Sequence, residues 1–251
     1  MNILIVSLEF IGAKTTELLR AIIFFFRFLG DVFTSLLGNW KAISWRQTLL
    51  STLHAGAVIS VPFIVVSMLF GISMAVSIHV MLTRYNVQSE AMAISQATLL
   101  RDFTPIFIGF VLCVHSGLNL IEHDHPSLYA TPQKVLYNTI IPLFFSMNIT
   151  ALLLYVYVAT AFILSIIFTI SFILQANTQD YLLGLGGINF YWQIINSIGC
   201  AIFNATIASF IAGYYYYDVS NRIMPIRQAV SKVITRGLFW LVVANVIIRI
   251  L

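Results

Sequence analysis

Five long apolar stretches separated by short polar turns dominate the chain. They run from Ala55 to Leu82, Ala91 to Ile121, Tyr137 to Leu174, Trp192 to Tyr217, and from beyond a basic turn to the C-terminus. A helix of about 20 apolar residues crosses the hydrocarbon core of a bilayer, so each stretch predicts a transmembrane helix. Pro62 and Gly71 in the first are compatible with this, because neighbouring helices resatisfy the backbone. The third stretch, at 38 residues, exceeds one crossing and is short for two plus a turn. It predicts one long helix, bent near Pro142 or projecting beyond the membrane.

Ahead of these spans, residues Thr15 to Gly38 carry a helical apolar stripe that includes Leu18, Leu19, Ile22, Phe25, Phe26 and Leu29. Arg20, Arg27, Asp31 and Ser35 oppose it. This pattern suits an amphipathic helix lying in the membrane interface. A tilted first span is the alternative, but the three charges interrupt the run at a spacing hydrocarbon accommodates poorly. No small-residue cleavage site follows the short apolar run at the N-terminus, so a cleaved signal peptide is not expected. The chain therefore divides into an N-terminal interfacial region, 1–45, and a five-span unit, 46–251, in an all-α integral membrane fold.

Composition agrees with this class. The chain is 60% hydrophobic and 9% charged, with a mean hydropathy of +0.94, whereas soluble domains carry about a quarter charged residues. Basic residues then set the orientation. Lys14, Arg20, Arg27, Lys41 and Arg46 precede the first span, Lys134 lies between the second and third, and Arg222, Arg227, Lys232 and Arg236 lie between the fourth and fifth. These ten of the thirteen fall on one side of a five-span topology, against Arg84 and Arg249 on the other and Arg101 within a span. The asymmetry predicts a cytoplasmic N-terminus and an extracytoplasmic C-terminus. Nucleic acid is not suggested as a partner, and Cys113 and Cys200, inside apolar segments, read as small buried hydrophobes.

The site chemistry is sparse. The sequence has no P-loop, no glycine-rich nucleotide cradle and no carboxylate pair at catalytic spacing, so ATP hydrolysis or other catalysis by this chain is not expected, nor is a bound cofactor. Glu122, His123, Asp124 and His125 have the composition of a metal cluster but read more simply as a solvated turn. The aromatic run Tyr214 to Tyr217 reads as an interfacial belt. His54, His79 and His115 lie in or beside spans, where packing roles are the rule; His79 departs from it most readily, near the outer end of the first span and about level with the start of the second.

The exception is Arg101 with Asp102, about 15 Å into the second stretch and followed by Pro105. A charge at that depth costs at least a few kcal/mol unless it faces protein or water, so the pair is expected to point to a cavity or a partner helix. Two roles fit equally: a guanidinium fork offered to a lipid phosphate, or an internal ion pair that orients helices.

These residues carry a resemblance. Leu99-Leu100-Arg101-Asp102-Phe103-Thr104-Pro105 resembles the L-L-R-E-L-G-P signature of the MlaE (YrbE) family of ABC-transporter permeases, which move phospholipids between bacterial membranes. Ile64 to Ser67, Gly71 and Leu82-Thr83-Arg84-Tyr85 are similar to that family's first span and following loop. Arg227-Gln228-Ala229-Val230-Ser231-Lys232-Val233 is similar to its R-A-T-T-R-x-V entry to the last helix. The likeness, in order and spacing, covers nearly the whole chain. It implies a bacterial inner-membrane permease subunit that works with a second permease subunit, cytoplasmic ABC ATPase subunits and an extracytoplasmic MCE-domain ring. By the same resemblance Arg101, Asp102, His79 and Leu82 would contact phospholipid. A non-transporting scaffold that anchors an MCE or secretion-type complex is the alternative.

The sequence departs from the family in two places. After Pro105 the family continues A-G-R-x-G-x-x-x-x-x-E, whereas here Cys113 to Gly117 keeps only the glycine and His123 stands where the glutamate is expected. The following loop is also shorter than the family's by about two to three helical turns, in the stretch that carries the family's ATPase-docking coupling helix. Glu122, His123 and Lys134 are what remains for ATPase contact, interrupted by Pro126 and Pro132. Weak or altered coupling in an asymmetric assembly is the expectation that follows.

Overall fold

The structure is a computed structural model that describes residues 23–35, 44–85, 91–122, 132–174 and 188–250. Helix α1 covers 23–35 and α2 covers Trp45–Thr83. Helix α3 is a continuous rod of Ala91–Gln96, a π-helical segment Ala97–Phe103 and Thr104–Glu122. Helix α4 joins Pro132–Val135, a π segment Leu136–Ile140, Ile141–Phe168 and a terminal π turn Thr169–Ile173. Helices α5, Ile188–Ser220, and α6, Ile226–Ile250, complete the bundle.

Five helices are long and apolar enough to cross a membrane: Ile59–Thr83, Ile94–Leu120, Gln133–Ile173, Phe190–Ser220 and Ile226–Ile248. The chain is thus an all-helical multi-pass membrane protein, as the apolar pattern predicts. The third span is one helix of 41 residues, about 60 Å at 1.5 Å per residue, and so projects well beyond a hydrocarbon core of about 30 Å. Its departure near Pro142 takes the form of a π turn.

Two of the π segments have the same cause. Proline has no N–H, and its ring crowds the carbonyl four residues earlier. Pro105 and Pro142 each sit two residues beyond a π segment, where the hydrogen-bond step has lengthened from four residues to five. The Thr104 N–H reaches Leu99 O, and the Thr104 hydroxyl donates to the same oxygen at 2.8 Å. Leu100 O is then the acceptor that Pro105 cannot serve. Ser197 of α5 serves it instead, its hydroxyl donating at 2.6 Å in a fully buried setting.

Small residues set the packing. On α5, Ala201, Ala205, Ala208 and Ala212 are completely buried, a stripe at helical spacing that lets other helices approach closely. Gly71 does the same where α2 lies along α4, since a Cβ there would stand 2.9 Å from Ser165 Cβ and 3.0 Å from the Phe162 ring. The Ser165 hydroxyl bridges the crossing at 3.1 Å to Met68 O. At the centre, the Asn204 and Asn245 amides exchange hydrogen bonds of 3.3 and 2.9 Å, and Asn204 also donates to Pro105 O at 3.0 Å. That set ties α3, α5 and α6 together near mid-membrane. Cys113 is buried and Cys200 half-buried, neither of them in a disulfide.

Two expectations are corrected by this packing. Asp31 and Ser35 were expected on the solvated face of α1, yet the buried face of α1 is Phe28, Val32 and Ser35, and Asp31 accepts a 2.8 Å hydrogen bond from the Tyr217 hydroxyl. The Tyr214 to Tyr217 run is likewise no lipid-facing belt. Tyr215, Tyr216 and Tyr217 are buried, and the rings of Tyr214 and Tyr217 pack against Phe24 and Phe28 of α1. Four consecutive tyrosines cover all sides of a helix, so the side that α1 covers decides their environment. The described part of α1 is 23–35; the remainder of the expected 15–38 helix lies outside the described residues.

The α5–α6 turn is closed by a Schellman arrangement, with Ile223 N–H bonded to Asp218 O and Arg222 N–H to Val219 O, at 3.1 and 3.0 Å. Arg222 occupies the left-handed position, at φ 58.

Candidate functional site

The π segment of α3 sorts its side chains by face. Leu99 and Leu100 turn inward and are fully buried, whereas Arg101 and Asp102 turn outward from the bundle, 56% and 40% exposed. Arg101 Nε stands 3.7 Å from Asp102 Oδ1, a loose contact between sequence neighbours. Arg101 is six residues from the midpoint of the Ile94–Leu120 span, about 9 Å, and the hydrocarbon half-thickness is about 15 Å. A guanidinium at that height is costly when it faces lipid tails. This outward, part-exposed position differs from the inward-facing one expected from the sequence. Both side chains are thus open to a headgroup, water or a partner subunit.

The backbone around the pair is rigidly held. Phe103 stacks on Phe70 of α2 at 4.3 Å and 11°, and Phe107 stacks on Phe63 at 4.5 Å. Ser197 and Asn204 fix the carbonyls of Leu100 and Pro105 from α5. These contacts hold the proline-linked turn against both neighbours, so the outward aim of Arg101 follows from the fold and not from side-chain choice alone. On α4, the buried hydroxyls of Thr150 and Tyr155 have no hydrogen-bond partner among the described residues by bond geometry.

His79 and Leu82 are half-buried on the last turns of α2. The aromatic pairs show that α2 runs antiparallel to α3 and that the stretch of α2 near Gly71 stands opposite the charged pair. His79 and Leu82 are then about 12 and 16 Å further along α2, at the same end of the bundle as Arg101 but not in one cluster with it.

The residues proposed for ATPase contact fall at the opposite end. Lys134 is exposed on the first turn of α4, and Glu122 is the last residue of α3. His123 lies outside the described residues, as do Asp124 and His125 of the acidic-histidine turn. The exposed α5–α6 turn with Arg222 and Arg227 shares that end, because α3 runs parallel to α5, as Ser197–Leu100 and Tyr216–Ser116 contacts show. The described basic residues Arg46, Lys134, Arg222 and Arg227 thus share one physical end of the bundle, while Lys14, Arg20 and Lys41 lie outside the described residues. Among the described residues no group of three or more His, Cys, Asp or Glu is placed to hold a metal ion.

Sequence reasoning did not identify Ser197, Asn204 and Asn245 as the residues that secure the turn. A signal existed in the polar positions within apolar helices, where an amide must find a partner, but the pairing itself needs three dimensions. Comparison of the chain with protein-family models and with curated proteins finds no match.

Proposed function

We propose that this chain is a permease subunit of an ATP-driven complex that moves phospholipid between the inner and outer membranes of a bacterial envelope. The observation that carries the reading is the Arg101–Asp102 pair, exposed on a secured, proline-linked turn at membrane depth. A planar fork with five donors matches a phosphate, and the L-L-R-D-F-T-P run resembles the signature of lipid permeases. In this reading His79 and Leu82 line the approach at the outer end, while Glu122, His123 and Lys134 face the ATPase. Hydrolysis belongs to a separate subunit, and an MCE-domain ring receives or delivers lipid on the far side. The shortened loop after α3 gives a weak dock, so the chain works in an asymmetric assembly beside a second permease with the full coupling helix. The N-terminus is cytoplasmic and the C-terminus periplasmic, following the basic residues.

The test is capture of the full chain from its native membrane, followed by identification of partners and extraction of bound lipid. Stoichiometric recovery of an ATPase with a Walker motif and of an MCE protein is the expected result, with phospholipid occupancy reduced in Arg101→Ala. An MCE protein recovered without any ATPase supports the scaffold role instead. Unchanged occupancy in folded Arg101→Ala removes Arg101 as the headgroup ligand, and two copies of this chain, each touching an ATPase through 122–134, remove the asymmetric assembly.

A further inference from the structure

A second feature lies away from Arg101, at the opposite end of the bundle. Helices α1, α5 and α6 enclose a groove of about 1040 Å³, at the upper limit of the roughly 300–1,000 Å³ that ligand sites occupy. Its walls are apolar and aromatic, with Phe26, Phe203, Phe210, Trp240 and Ile247 among them. The charged residue in its lining is Arg236. From Phe203 to Tyr215 the groove extends over twelve residues of α5, about 18 Å. Tyr215 is ten residues, about 15 Å, from the midpoint of the Phe190–Ser220 span, which is the half-thickness of the hydrocarbon core. By the register of α5 the apolar end sits near mid-membrane and the Arg236 end at the headgroup boundary, whereas the shorter Ile226–Ile248 span of α6 has Arg236 one residue from its own midpoint. The groove has the length and polarity of one leaflet.

We propose that this groove holds one acyl chain of an anionic phospholipid, with the phosphate at Arg236, as a bound lipid that joins α1 to α5 and α6. Arg236 donates to the Tyr215 hydroxyl at 2.8 Å and lies over its ring, which aims the guanidinium and uses one of its five donors. The charge at this end of the bundle is right for an anion. Arg27, Arg222, Arg227, Lys232 and Arg236 are gathered at this end, against Asp31 and Asp218. Asp31 is engaged by Tyr217, and Asp218 acts on Lys232 and Arg236 together. This inference is independent of transport, since a bound structural lipid serves a scaffold equally.

The experiment uses the full chain in nanodiscs with a phosphatidylglycerol or a phosphatidylcholine carrying a diazirine in its acyl chain, and maps the labelled peptides after irradiation. Labelling is expected in residues 203–211 and 243–248, about fivefold stronger from the anionic lipid. Arg236→Gln should abolish that preference, and Ala244→Trp, which fills the groove, should cut the labelling there about tenfold by steric exclusion. Arg101→Ala should leave it unchanged, which separates this site from the permease reading. Equal labelling of the groove and of exposed Phe239 and Val242 overturns the proposal, as does the absence of lipid-charge preference in the wild-type chain. So do chain-to-chain crosslinks at groove residues, which assign the face to a second copy.

Discussion

Replacing Ser197 by alanine tests whether the turn beneath Arg101 depends on a side chain from another helix. The Ser197 hydroxyl donates at 2.6 Å to Leu100 O, both residues being about 1% exposed. No backbone donor competes, because Pro105 occupies the position that would supply one. An unsatisfied buried carbonyl costs about 1–3 kcal/mol in general, and interhelical side-chain hydrogen bonds in membranes average about 0.6 and reach about 1.7 kcal/mol. The short distance and the missing alternative place this bond at the upper end, so Ser197→Ala is expected to destabilise by about 1–1.5 kcal/mol, roughly a factor of 5–10 in the folding equilibrium. Pro105→Ala restores an N–H within reach of Leu100 O. The serine substitution should then cost less, leaving a coupling of about 0.5–1 kcal/mol in the double-mutant cycle. Reversible unfolding of the purified chain in mixed micelles, titrated with sodium dodecyl sulfate and followed by tryptophan fluorescence, measures all four variants. Additivity of the two substitutions to within about 0.3 kcal/mol refutes the reasoning.

Two further outcomes follow from local geometry. Gly71→Val forces its side chain into Ser165 and Phe162 and should destabilise by about 1–3 kcal/mol, because the α2–α4 crossing has no room to yield; the same titration measures it, and an unchanged midpoint contradicts the close approach. Arg222→Gly should raise the melting temperature by about 2–4 °C, since glycine removes the penalty of about 1 kcal/mol for a left-handed residue at the end of α5. A fall in melting temperature would assign the Arg222 side chain a stabilising contact larger than that strain.

The sequence by itself determined that the chain carries five helices long and apolar enough to cross a membrane, because hydrocarbon leaves no option for long apolar runs except helices that satisfy their own backbone. It located the spans to within a few residues, identified the 38-residue stretch as a single projecting helix, and separated an end rich in basic residues from one with few. It also found the Arg101–Asp102 pair, since charge within an apolar run is visible in one dimension. Only the tertiary structure decided which way each face turns. The tyrosines at 214–217 look interfacial as a string but are packed under α1, and the outward aim of Arg101 depends on how Ser197, Asn204, Phe63 and Phe70 hold a π turn made necessary by Pro105. The groove at Arg236 is assembled from α1, α5 and α6, whose lining residues are up to 223 positions apart, from Phe25 to Ile248. Hydropathy is a property of a segment, whereas a cavity, a buried amide pair or an exposed charge is a property of how segments meet.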